Sequence, residues 1–120
     1  MRYILLLYGD EQAWAAMSPE EQGSQLRAYD EYTRWLKDKS WFEAGEPLHA
    51  TSSATTVRVR DDETLTTDGP FAETKEQLGG YYLMEVPSLD EALDWAARCP
   101  GAPYGTIELR PVMTFDQPEG

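Results

Sequence analysis

Apolar and polar positions change period several times along the chain, and each change marks an element. In Met1–Tyr8 both alternating sets, Tyr3-Leu5-Leu7 and Ile4-Leu6-Tyr8, are apolar. That is the pattern of a central strand covered on both faces. Gly9-Asp10 ends it. Ser18-Pro19-Glu20-Glu21 is a helix start, with Ser18 as cap, Pro19 suited to the first turn and Glu21 completing a capping box. Leu26, Tyr29, Thr33 and Leu36 then recur at helical spacing, widened by Tyr32 and Trp35, and predict a helix to about Lys39. Trp41–Leu48 reads as a weak strand, edge or bulged, because Gly45 and Pro47 interrupt it. Ala54–Arg60 alternates Val57 and Val59 against Arg58 and Arg60; Asp61-Asp62-Glu63 turns, and Thr64–Thr67 returns as a hairpin partner.

Asp68-Gly69-Pro70 is a turn cluster, and Phe71–Gln77 a polar loop or single helical turn. Gly79-Gly80 leads into a strand over Tyr81–Val86. Ser88-Leu89-Asp90-Glu91 repeats the capping box, with Leu89, Ala92, Leu93 and Ala96 as the expected buried stripe of a second helix that Cys99-Pro100-Gly101 stops. Tyr104–Arg110 is the last strand, with Val112–Phe115 as its candidate extension. The expectation is one domain over residues 1–115 and a frayed tail over 116–120.

The order is an α+β, ferredoxin-like βαββαβ with an inserted β-hairpin. Right-handed crossovers place both helices on one face of an antiparallel sheet. The opposite face is then bare and greasy, and a second copy packed across a two-fold axis is the simplest cover. A homodimer is expected on that ground.

Composition narrows the partners. Twenty-two acidic against 10 basic residues leave a net charge of -12, and the basic residues are scattered. Binding to nucleic acid or to an anionic membrane needs grouped cations, so neither is expected. One cysteine excludes an internal disulfide, and a single histidine leaves no metal-ligand cluster. No Gly-rich phosphate loop or Schiff-base signal is present, so no cofactor is expected. The apolar start is too short for a signal segment, which makes the expected location cytoplasmic.

The Asp-Gly-Pro loop carries the densest candidate chemistry. Asp68, Glu73 and Lys75 lie close together in a stretch without apolar periodicity. A carboxylate and an ammonium on one loop can bind a polar substrate, and a partly buried carboxylate can act as general base. A structural role accounts for the same residues: Asp68 closing an Asx-type turn, Phe71 plugging the core, Glu73 and Lys75 pairing across a dimer. Tyr29 and Tyr32 share a helical stripe, either as core or with a phenol tip reaching a helix–sheet cleft. Arg58 can clamp a carboxylate bidentately if its strand face lines that cleft. Cys99 ends a helix, where the dipole disfavours the thiolate, and His49 reads as a surface loop residue.

The stretch Thr67–Gly80, TDGPFAETKEQLGG, resembles the signature of the YCII-related "DGPF" family. The likeness continues through YYLMEVPSLDEALDWAARCP to IELRPVM, and takes in RYILLLYGDEQAWAAMSPEE, AGEPL and TTVRVR, so that it spans residues 1 to about 113. It implies a dimeric α+β barrel, kinship with muconolactone-isomerase-like and dehydrochlorinase-like enzymes of small cyclic compounds, and frequent association with extracytoplasmic-function sigma factors. The wider pattern places a catalytic histidine and aspartate where this chain has Tyr29 and Cys99. A phenol is no base near neutral pH, and a thiol is not a carboxylate.

Two functions follow as expectations. One is a small-molecule isomerase or lyase for a small polar or cyclic acid, with Asp68 or Glu73 as base, Arg58 or Lys75 as anchor, Tyr32 beside the substrate and Tyr29 as proton donor. The alternative is a non-catalytic metabolite-binding or regulatory module linked to such a sigma factor.

Overall fold

The computed structural model describes residues 1–115; the tail expected to fray, 116–120, lies outside them. The chain runs β1 (Arg2–Gly9), α1 (Glu11–Ala16), α2 (Pro19–Asp38), β2 (Phe42–Pro47), β3 (Thr55–Arg60), β4 (Glu63–Asp68), β5 (Gln77–Glu85), α3 (Leu89–Arg98) and β6 (Thr106–Pro111). One antiparallel sheet has the order β2-β5-β1-β6, and β3 and β4 pair as a separate two-stranded sheet. The apolar first strand is central, and the Gly- and Pro-containing strand is an edge, with a register shift between Phe42 and Ala44.

Caps set the helix starts. Ser18 Oγ accepts the Glu21 N–H at 3.1 Å, and Ser88 Oγ the Glu91 N–H at 3.3 Å. The short α1 fills a stretch for which no element was expected. Asp10, read as the end of a strand, also caps: its Oδ1 accepts the Gln12 N–H at 2.9 Å. The hairpin turns on Asp61 and Asp62, both left-handed (φ 52° and 64°), the geometry that two-residue hairpin turns require.

One buried cluster holds both long helices on the same sheet face. It joins Tyr3 and Leu5 of β1, Tyr82 and Met84 of β5, Tyr32 and Leu36 of α2, and Ala92, Trp95 and Cys99 around α3. Tyr32 Oη donates to the Trp95 carbonyl at 2.6 Å, so the most buried phenol keeps a partner. The α3 stripe differs from the expected one. Leu89 and Leu93 are about half exposed (49% and 51%), and the buried line is Ala92-Trp95-Ala96-Cys99. Both lines have helical spacing; the large Trp95 ring buries more apolar area and stacks near Trp41, Trp35 and Tyr32, which sets the rotation of the helix. Leu26 and Trp35 of α2 are likewise exposed.

Two strands differ in extent. β5 begins at Gln77 and includes Gly79 and Gly80, because main-chain bonding to both neighbours needs no side chain. The last strand is confined to Thr106–Pro111, with Tyr104 and Gly105 held in a turn by bonds to the Gly101 carbonyl. Phe71, in a bend and 79% exposed, plugs nothing. The β3–β4 arm stands off the body: the radius of gyration is 17.0 Å, against about 14 Å for a compact chain of this length.

Two outcomes test this packing. Leu36→Ala should cost about 2–5 kcal/mol in urea unfolding, whereas Leu93→Ala should cost under about 1 kcal/mol; equal losses would contradict the α3 rotation. Burial, and then proximity to Cys99, pushes the Tyr32 phenol above its ordinary 10.0, and burial pushes the Cys99 thiol above 9.0. Below those values both states are protonated and the contribution is complete. Above them the unfolded chain releases protons that the folded chain retains, so stability should fall as pH rises. Melting temperature should decline through the alkaline range, less steeply in Tyr32→Phe; a flat profile to about pH 11 would contradict the burial.

Candidate functional site

The core does not extend the full length of the sheet. Toward the N-terminal half of α2 it stops at Gly45 on β2 and Gly80 on β5, and a cleft of about 960 Å³ opens between helix and sheet. Its floor is backbone and aromatic ring. A Cβ on Gly45 would lie 2.8 Å from the Tyr82 ring, and one on Gly80 would lie 3.0 Å from the Glu46 carbonyl. Neither position can carry a side chain without moving its neighbour, so the space above them stays open.

The roof comes from α1, through Ala13, Trp14 and Met17, and from α2, through Gln25, Leu26, Tyr29, Asp30 and Thr33. Leu48, His49 and Ala50 form one side, and Gly101, Tyr104 and Gly105 the other. Hydrogen bonds fix these walls to each other. The Glu11 carboxylate accepts the Thr51 N–H at 2.7 Å and the Thr51 hydroxyl at 2.8 Å, tying α1 to the segment after β2. Gln25 Nε2 donates to the Pro100 carbonyl at 2.9 Å, tying α2 to the end of α3.

Three hydroxyls reach the inner end of the cleft. Thr33 Oγ1 and Tyr82 Oη share a hydrogen bond of 2.7 Å between helix and floor. Tyr29 Oη sits beside the Cys99 thiol and the Gly101 backbone, close enough that a Cβ on Gly101 would collide with it. Burial first, then Cys99, pushes the Tyr29 phenol well above its usual range, and burial also raises Tyr82 and Cys99. At neutral pH all are protonated, so this end of the cleft offers hydrogen-bond donors and protons but no base. A shallower notch of about 290 Å³ between Trp35, Trp95, Lys39 and Arg98 lies elsewhere, with Lys39 and Arg98 stacked on the Trp95 ring.

Of the residues singled out from the sequence, Tyr29 lines the cleft. Tyr32 is core, its hydroxyl committed to Trp95. Arg58 and Asp68 are exposed on the arm, Glu73 and Lys75 are exposed on the loop beyond it, and none of the four is among the residues lining the cleft. The Asp68–Pro70 turn is held by its backbone: Gly69 has φ 101°, its N–H donates to Ala54 at 2.7 Å, and its carbonyl accepts from Thr56 at 2.8 Å. Thr33, Tyr82, Asp30, Glu46 and His49 were not legible as cleft residues, although the paired glycines of two strands were a usable sign of a floor without side chains. Among the described residues no three His, Cys, Asp or Glu side chains gather as a metal site, and no helix is long and apolar enough to cross a membrane.

Comparison with known proteins bears on the family and the fold. An uncharacterized protein of Rhizobium meliloti (strain 1021) is 40% identical over 117 residues, covering 96% of this chain and 94% of its own. Among solved structures, 5-chloro-2-hydroxyhydroquinone dehydrochlorinase from Burkholderia phenoliruptrix AC1100, in complex with 2,5-dihydroxybenzoquinone, superposes with a TM-score of 0.55 over 94% of both chains. At 15% identity that likeness is one of fold. The model of the YCII-related domain matches residues 1–116, and the chain belongs to that family.

Proposed function

We propose that the cleft holds a small hydroxylated ring compound and that the chain acts on it as a lyase or isomerase, with Tyr29 as proton donor. The observation that carries this reading is the arrangement of Tyr29, Thr33 and Tyr82 hydroxyls over a glycine floor between aromatic walls. Such a slot fits a flat ring, and its hydroxyls fit ring oxygens. The family and the fold shared with a dehydrochlorinase support it.

A protonated Tyr29 needs a base opposite it. Asp10 and Glu11 line the cleft but are engaged by Gln12 and Thr51, which leaves Asp30 and His49 as proton acceptors on its wall, and the base of this proposal is one of them. Asp68, Glu73, Arg58 and Lys75 enter the chemistry only if the arm of a second copy brings them to the cleft. Chloride release from chlorinated hydroxyhydroquinones, assayed under nitrogen, tests the reaction. Tyr29→Phe should lower kcat by about 10²- to 10⁴-fold with KM little changed. A Tyr29→Phe protein with the parental kcat would exclude the donor role. A ring that binds the cleft without turnover would favour the non-catalytic alternative, which the shortage of an inner base also supports.

The homodimer belongs to the same proposal. On the sheet face away from the helices, Ile4 lies opposite Leu83 and Leu6 opposite Tyr81, an apolar group left half-buried among the described residues. Sedimentation should show a dimer for the parent at micromolar concentration and a folded monomer for Leu83→Asp. A parental monomer would remove this part of the reading.

A further inference from the structure

The charge around the cleft restricts what can enter it. Asp30 on α2 lines it, with Asp10 and Glu11 at the α1 end. Among the described residues neither a lysine nor an arginine lines it. The Glu11 carboxylate is already engaged by Thr51 and Asp10 caps Gln12, whereas Asp30 is exposed; Glu46 contributes its backbone carbonyl, its side chain lying on the Tyr81 face of the sheet. The whole chain adds a net charge of -12. A carboxylate or phosphate on the ligand would therefore lose hydration beside like charges with no guanidinium or ammonium to replace it.

We infer that the cleft selects uncharged or cationic hydroxylated rings and rejects ring carboxylates and phosphate esters; this rests on the ring-binding reading above and names its substrate class. The small cyclic acid expected from the sequence is then the wrong class. That expectation relied on Arg58 or Lys75 as anchor, and neither is among the residues lining the cleft. The inner hydroxyls recognise ring oxygens, and the outer carboxylates set the sign of any substituent pointing to solvent. A ring amine gains there, and a ring alcohol is neutral.

Three probes of equal size separate the terms: 3,4-dihydroxybenzyl alcohol, 3,4-dihydroxybenzylamine and 3,4-dihydroxybenzoate. Each is titrated under nitrogen into the full chain, with affinity read by calorimetry and location read from the amide resonances of Gly45, Gly79 and Gly80. The alcohol and the amine should bind and shift those glycines. The benzoate should bind at least tenfold more weakly, with the gap narrowing at high salt. In Asp30→Asn the benzoate should recover and the amine lose its advantage. Benzoate binding as tight as the alcohol, at the same glycines, would overturn the charge rule and leave the ring-binding cleft intact. Failure of all three to bind, or shifts that miss the glycines, would overturn both.

Discussion

The Tyr82 ring rests against the bare backbone of Gly45, and much of the architecture depends on that contact. A side chain at position 45 would displace the ring. With the ring in place, its hydroxyl meets Thr33 and sets the height of α2 above the sheet. On one side of this bolt, Tyr32, Leu36, Met84 and Trp95 close into a dry core. On the other side there is little side-chain volume on the floor to meet the helix, and the gap remains as a cleft. Core and cleft are thus two consequences of one pair of strands, β2 and β5, that lose their side chains partway along. A void of this size in an apolar core would be costly. Here it is open to solvent and edged with polar groups, so water can occupy it at little cost.

The same geometry makes the inner end of the cleft chemically quiet. Tyr29 and Cys99 meet there, from α2 and from the end of α3. Burial raises both, so neither gives up its proton near neutrality. The pair can donate hydrogen bonds and can deliver a proton to a strong base, but cannot remove one. Proton removal in the proposed reaction has to come from the wetter mouth.

Much of the fold was legible because it follows from period and caps. β1, the edge strand β2, both capped helices and the hairpin turn all follow from local rules that tertiary packing left alone. Where two solutions had equal local merit, packing decided. The Leu89-Leu93 and Trp95-Cys99 lines of α3 have the same period, and only the waiting ring of Trp41 and the Tyr32 hydroxyl select the second. The short α1 was missed because Asp10 is equally good as the end of a strand and as a cap. The cleft was hardest to read: Asp30 and Thr33 share α2 with Tyr29, but Tyr82 and His49 come from other segments, and no spacing connects them to the helix. Tyr29 was found since its stripe pointed at the sheet. The loop candidates drew notice by their density of charge, which is also what a solvated loop requires.

The Asp-Gly-Pro segment that identifies the family is accounted for locally. It stands where β4 leaves the arm, Gly69 takes a conformation that side chains rarely adopt, and two backbone-directed bonds lock it to Ala54 and Thr56. Those bonds position the arm as a unit. A two-stranded ribbon alone in water is marginal, and this one exposes Val57, Val59 and Leu65 while making few ties to its own body. The two ends of the Thr67–Gly80 stretch thus do different work: its start closes the base of the arm, and its end, Gln77, Gly79 and Gly80, supplies part of the cleft floor.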